Sequence, residues 1–198
     1  MANSIKLLLS LLFILVFLVM GYSQFTMHRD DFLKKIDGVH FEFDETVMGD
    51  SGILEPTIRG YSDATMITIP LRIDNTKNEE VFLEKVVFKI YIVGIPLEER
   101  AVEDLNIPSK GSKVVTLDEV KISAEKFNDI LLGANADVDH PEDATLQLAV
   151  EVNIFYPVEL RLLRTDRFNI NHVRLEGDIY VRSIFGGRTQ EEAAMEFF

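Results

Sequence analysis

Residues 146–154 read Leu-Gln-Leu-Ala-Val-Glu-Val-Asn-Ile, with Leu146, Leu148, Val150, Val152 and Ile154 separated by Gln147, Ala149, Glu151 and Asn153. A period of two puts the apolar set on one side of a strand and the polar set on the other, so this segment needs a sheet with one buried face. Val173, Leu175, Ile179 and Val181 alternate in the same way with Arg174, Glu176, Asp178 and Arg182. Val158, Leu160 and Leu162 suggest a further strand between the two.

Working back towards the N-terminus, Val81 to Val93 is a long strand. Phe88, Ile90 and Ile92 share one face, and Val87, Lys89, Tyr91 and Val93 the other. Gly94-Ile95-Pro96 breaks it. A weaker strand follows within 97–107, a turn at Pro108-Ser109-Lys110-Gly111, and a return strand from Lys113 to Ile122. Upstream, Ile67, Ile69, Leu71 and Ile73 point one way; Pro70 lacks the N–H a ladder needs, which predicts an edge strand or a bulge there. Asp74 to Asn78 is a turn. Val39, Phe41 and Phe43 begin the pattern, and the Gly-, Asp- and Pro-rich residues 44–60 form a long loop with a short strand near Ile58.

One helix is expected in this body. Ser123 is its N-cap, Glu125 favours the dipole in the first turn, Phe127, Ile130 and Leu131 form the apolar stripe, and Gly133 stops it. Seven or eight one-sided strands with long connections predict an all-β fold, an antiparallel β-sandwich, and not a parallel βαβ sheet. The expected organisation is an N-terminal segment over 1–25, a helical extension or stalk over 26–37, a sandwich over 38–185 and a tail over 186–198.

The first segment differs in kind. Leu7 to Met20 reads LLLSLLFILVFLVM, and no charge appears from there through Met27. Two readings compete. A signal peptide has an apolar core of about 7–15 residues and a small-residue cleavage site, for which Val19-Met20-Gly21 or Gly21-Tyr22-Ser23 would serve. An uncleaved transmembrane helix needs about 17–25 residues, which Leu7 to Phe25 supplies if Tyr22 and Phe25 sit at the interface. The anchor is the favoured reading, with the membrane contacted through residues 7–25. Lys6 on one side and Arg29, Lys34 and Lys35 on the other orient it only slightly. The domain is placed outside the cytoplasm, as for a signal-anchor.

Of the chain's net charge of −13, residues 1–29 contribute +2 through Lys6 and Arg29, so the rest carries −15. Nucleic-acid phosphates would repel such a body, and no basic cluster or phosphate-cradling glycine loop points to nucleic acid or nucleotide. The absence of cysteine removes disulfides, thiolate catalysis and cysteine metal sites. His28, His40, His140 and His172 have no ligand spacing. Gly49-Asp50-Ser51-Gly52 has the local sequence of a trypsin-like nucleophile but lacks the preceding His and Asp context, and reads as a glycine-rich turn. Asp137, Asp139, Glu142 and Asp143, with Asn135, form an acidic loop whose alternate oxygens suit only weak calcium binding. The EF-hand pattern fails there, with His140 in place of Gly and Leu146 in place of Glu. No catalytic residue and no cofactor are expected.

The stretch from Ile67 to Ile122 resembles the late-embryogenesis-abundant group 2 family, the water-stress and hypersensitive-response domain. An apolar strand (Ile67 to Ile73) runs into Asp74-Asn75. A long strand (Phe82 to Val93) follows, then Gly94, a short return at Ala101-Val102 and the turn Ile107-Pro108-Ser109-Lys110-Gly111-Ser112. The family's Asn-Pro pair is altered, since Asn75 is followed by Thr76. The resemblance implies a fibronectin-III/immunoglobulin-like sandwich with one short helix behind a single anchor. It implies no catalysis and a role in protection under desiccation or related stress, and it carries over no binding residue. The expected function is therefore a non-enzymatic, membrane-anchored sandwich with a possible protein partner at the cell surface. An envelope interaction module holding a surface layer or appendage is the alternative. A secreted hydrolase is a third reading, but it needs a convergent polar cluster that the sequence does not display.

Overall fold

The structure, a computed structural model, describes residues 2–49, 52–60, 64–123, 125–126, 129–130, 145–156, 168–180 and 184. It opens with α1 (Ala2–Ile36), followed by eight strands: β1 (Val39–Phe43), β2 (Thr57–Gly60), β3 (Ala64–Asn75), β4 (Val81–Ile92), β5 (Ile95–Ile107), β6 (Ser112–Ser123), β7 (Thr145–Tyr156) and β8 (Phe168–Tyr180). Every pairing between these strands is antiparallel. One sheet places β1 and β2 end to end along one side of β3, with β6 on the other side; the second runs β5-β4-β7-β8. The expected all-β sandwich is present.

The alternating residues are the core. Ile67, Ile69, Leu71 and Ile73 of β3 face Phe88, Ile90 and Ile92 of β4 and Leu148, Val150, Val152 and Ile154 of β7, all essentially inaccessible to water. Each such side chain contributes about 1.5–3 kcal/mol through burial, which makes the period of two decisive. Between β7 and β6, Glu125, Lys126, Asp129 and Ile130 are helical. The Ser123 hydroxyl accepts from Lys126 N at 3.4 Å as the expected cap, and Ile130 is buried in the core. Phe127, Leu131, the strand expected near 158–162 and the tail over 186–198 lie outside the described residues.

Pro70 is where expectation and structure part. Its strand is not an edge, because β3 has partners on both sides. β1 pairs with Leu71 to Asn75 and β2 with Thr65 to Thr68, which leaves Ile69 and Pro70 opposite the gap between them. In an antiparallel strand the N–H and C=O of one residue point the same way. Pro70 O accepts from Asp44 N at 3.1 Å, so the missing N–H faces the chain leaving β1, where no ladder bond is due. The expected bulge lies nearby on β6. There the register steps from Ile67↔Val120 to Ile69↔Leu117, so Asp118 and Glu119 together oppose Thr68. Glu119 takes φ 52°, and this shift lets both Val115/Leu117 and Val120/Ile122 point inward. On β5, Asp104 at φ 53° marks a similar change of face, between Val102 and Leu105.

Asp44 caps a 3₁₀ turn at Glu45–Val47. Its Oδ1 accepts from Thr46 Oγ1 at 2.6 Å and from Thr46 N at 3.0 Å. The Thr46 hydroxyl bond first, then the backbone bond, holds the carboxyl below its ordinary value of 3.8. A carboxyl depressed on folding stabilises the fold above its unfolded value, and that gain is lost as pH falls through the folded value. Asp44→Ala is therefore expected to lower the melting temperature at neutral pH, with the gap to the native chain narrowing in acid. A gap that stays constant down the acid range would show that the carboxylate is not the source.

The segment after the 3₁₀ turn closes one side of the sandwich. Leu54 N donates to Asp178 O at 2.7 Å, and the buried Leu54 side chain lies over Gly177 of β8. A β-carbon on Gly177 would stand 2.5 Å from Leu54 Cδ1 and 2.9 Å from Leu54 Cγ. Gly177→Ala is expected to cost about 1–3 kcal/mol as an overpacked site, measured by urea unfolding. Leu54→Ala removes a core side chain and is itself destabilising, but it should cost less in the Gly177→Ala background than in the native chain; strict additivity of the two changes would refute the clash.

Candidate membrane anchor and the groove beside it

α1 is one uninterrupted helix of 35 residues, about 52 Å long at 1.5 Å per residue. Leu7 to Phe25 accounts for roughly 28 Å, close to the hydrocarbon thickness of a bilayer. From Leu9 to Met20 every large apolar side chain is exposed; Phe13 is 73% and Phe17 53% accessible. The segment is long and apolar enough to cross a membrane, and none of its apolar window is buried.

Residues 26–36, which the sequence left as a helical extension or a stalk, continue the helix, and its last turn enters the domain. Ile36 is 2% accessible and belongs to the core, with Phe32 packed against it. Asp37 N donates to Leu33 O at 3.0 Å and closes the helix. Gly38 O accepts from Thr76 N at 2.9 Å and from Thr76 Oγ1 at 3.1 Å, and Lys77 Nζ donates to Lys34 O. A β-carbon on Gly38 would lie 2.7 Å from Lys77 Cγ and 2.9 Å from Thr76 Oγ1, so a larger residue there would displace the side chains that grip the helix end. Lys34 and Lys35 in the last turn also suit the negative end of the helix dipole.

Asn75 holds the receiving side of the junction. It is 2% accessible, and its amide donates to Glu79 O at 2.8 Å and Pro108 O at 3.0 Å, with Ile107 O at 3.5 Å. Only an NH₂ can serve carbonyls, so these partners fix its orientation, and the amide oxygen is left to accept from Lys77 N at 3.0 Å. Lys110 N donates to Lys77 O at 2.8 Å. One side chain thus ties the β3–β4 turn, which grips the helix end, to the β5–β6 turn.

Between the helix end and the sandwich lies a groove of about 900 Å³. Its helix wall carries His28, Asp31, Phe32, Lys34 and Lys35; the opposite wall carries Lys77, Glu79 and Glu80 from the β3–β4 turn and Val81, Phe82 and Glu84 from β4. Phe82 is 57% accessible, a large exposed aromatic. The sequence could not foretell this groove, because its walls are 43 residues apart at Lys34 and Lys77 and neither wall has a periodic signature.

The two outer faces carry ion pairs. On the first sheet Arg72 reaches Glu45 (2.9 Å), Asp74 (3.1 Å) and Glu42 (3.6 Å), beside a shallow depression that includes His40. The bond to Asp74 first of all raises the Arg72 pKa further. On the second, Tyr91 Oη donates to Glu151 at 3.1 Å; Arg174 bonds Glu151 (2.8 Å) and Glu176 (2.7 Å) and sits over the Tyr91 ring. Burial, then the bond to Glu151, pushes the Tyr91 phenol above its ordinary 10.0, so it remains protonated at neutral pH. Exposed pairs of this kind contribute at most about 1 kcal/mol each.

Of the remaining candidates, His172 is the extra residue of a bulge on β8. Its Nε2 lies 3.1 Å from Val39 O, and its ring packs edge-on to Phe41 at 5.4 Å, which ties the two sheets together. Gly49 and Gly52 form a turn, with Gly52 N donating to Gly49 O at 2.9 Å and Gly52 at φ 75°; Asp50 and Ser51 lie outside the described residues. The calcium candidates Asp137, Asp139, Glu142 and Asp143 and His140 also lie outside them. Among the described residues no three His, Asp or Glu side chains are placed to hold a metal ion.

No protein-family model and no curated protein matches the chain. Among solved structures it is similar to a late embryogenesis abundant (LEA) protein at 11% identity and a TM-score of 0.43, covering 77% of this chain and 78% of that one. It is similar to a protein of Arabidopsis thaliana at 11% identity and 0.42, over 65% and 79% of the two chains. A CARDB domain from Pyrococcus furiosus matches at 12% identity and 0.32, over 72% and 93%.

Proposed function

We propose that this chain is a single-pass membrane protein whose acidic sandwich works without catalysis at the membrane surface, outside the cytoplasm. The observation that carries the reading is the form of α1. Its apolar residues stand clear of the domain, yet the same helix ends with Ile36 in the sandwich core. Apolar surface of that extent requires a nonaqueous partner. The continuous helix and its gripped end hold the sandwich at a fixed height above the bilayer. A role in binding or stabilising other components under desiccation or related stress is the finer part of the proposal. Its support is the resemblance over Ile67–Ile122, whose order of strands and turns matches β3 to β6.

The test is fractionation of the full-length protein with protease added from outside and intact mass recorded. Retention in carbonate-washed membranes at full mass, with the body digested from outside, is expected. A soluble product shortened near residues 21–24 would make the apolar run a signal peptide and refute anchoring. A surface partner recovered by crosslinking would shift the role from protection to attachment.

A further inference from the structure

We infer that the groove between the end of α1 and the β3–β4 turn binds the headgroup of a zwitterionic phospholipid from the bilayer that holds the helix. The inference rests on the anchored reading above and adds a ligand site to it.

Position comes first. The uncharged run of α1 ends at Met27, and the next residue, His28, is the first to line the groove. At 1.5 Å per residue, Asp31 and Phe32 lie about 5–6 Å further along the axis and Lys34 and Lys35 about 9–11 Å. The headgroup layer on each side of a bilayer is roughly 5–8 Å deep. With the hydrocarbon edge at Phe25, His28 sits about 5 Å beyond it, inside that layer, and the backbones of Lys34 and Lys35 sit about 14–15 Å beyond it, so only their side chains return towards the layer. Helical side chains lean towards the helix N-terminus, which here is towards the bilayer, and lysine stems extend that reach.

Charge selects the ligand. The helix wall supplies the ammonium groups of Lys34 and Lys35 for a phosphate. The sandwich wall supplies Glu79 and Glu80 for a cation across the groove; Asp31 on the helix side and Lys77 on the sandwich side add one charge of the opposite sign to each wall, so the groove offers both signs along its length. Phe82, exposed at the start of β4, offers an apolar surface for the glycerol end and an aromatic face for an ammonium. A headgroup carrying both phosphate and ammonium satisfies both walls. A purely anionic headgroup would meet the carboxylates and a domain of net charge −15, and would be repelled.

The chain has no tryptophan, so Phe82→Trp gives a single fluorophore at the groove. The full-length Phe82→Trp protein in a nonionic detergent is titrated with phosphatidylethanolamine. A saturable blue shift is expected, with none from diacylglycerol, which has the chains but no headgroup. Lys34→Gln with Lys35→Gln should weaken half-saturation by about fivefold for each charge removed, and Glu79→Gln with Glu80→Gln should weaken it comparably. An equal response to diacylglycerol, or indifference to both pairs of changes, overturns the inference. Phosphatidylglycerol binding that Glu79→Gln with Glu80→Gln leaves unchanged overturns the zwitterionic assignment. Native mass spectrometry of the unaltered chain, counting bound phosphatidylethanolamine, gives the same answer without the Phe82 substitution. Because the titration is done in micelles, it is independent of insertion. Carbonate-resistant retention without a headgroup response sinks only the groove, and release from washed membranes sinks the anchor.

Discussion

Replacing Phe13 and Phe17 together with arginine is expected to move the full-length protein from the carbonate-washed membrane pellet to the supernatant. Both residues are exposed and lie on either side of the middle of Leu7–Phe25. Each arginine near the centre of a spanning helix opposes insertion by about 2.5–3.5 kcal/mol, or roughly 5–7 kcal/mol for two. The apolar residues that remain in Leu7–Met20 favour insertion by about 0.3–0.6 kcal/mol each, roughly 3–7 kcal/mol in all. The two sums nearly cancel, so retention should fall from nearly complete to about half or less. Phe13→Leu with Phe17→Leu keeps the apolar character and should leave retention unchanged. Because neither side chain is buried in the sandwich, the arginine variant should melt like the native chain. A protein still retained after both arginines would show that something other than this helix holds it to the membrane.

Asn75→Ala is expected to produce the largest loss of stability for any polar residue among the described residues, about 2–4 kcal/mol by urea unfolding. Removing the amide leaves Glu79 O, Pro108 O and Lys77 N, all partly buried, short of a partner; a fully buried group left unsatisfied costs roughly 1–3 kcal/mol, and water can offset part of that here. The damage should spread to the helix junction, because Thr76 and Lys77 on the same turn bind Gly38 O and Lys34 O. Faster amide exchange at Thr76 and Asp37 would report that loosening. Asn75→Asp keeps the shape but turns donor atoms into acceptors facing carbonyls, so at neutral pH it should be at least as damaging. A loss below about 1 kcal/mol for Asn75→Ala would mean that water replaces the amide.

The strands were legible because burial on one face imposes a period of two, and that period survives in any sequence that must form such a sheet. Leu146 to Ile154 and Phe88 to Ile92 show it without interruption, and they form the middle of the second sheet. The reading was thinner where the period changes phase. Residues 97–107 looked weak because Val102 and Leu105 point inward on either side of the Asp104 kink, yet β5 runs unbroken from Ile95 to Ile107. Pro70 looked like an edge marker because its missing N–H is visible in the sequence, whereas the gap between β1 and β2 that tolerates it is not.

The sequence by itself determined the all-β body, the separate apolar helix and the acidic charge, because these depend on local periodicity and on sums over residues. Only the tertiary structure decided that the helix continues into the core through Ile36, that Asn75 joins two turns, and that a two-walled groove opens beside Phe82. Each of these depends on residues far apart in the chain whose proximity is set by sheet pairing. A single sequence carries no local signature of such pairing, since the register that brings Lys77 to Lys34 is fixed by packing elsewhere in the sandwich.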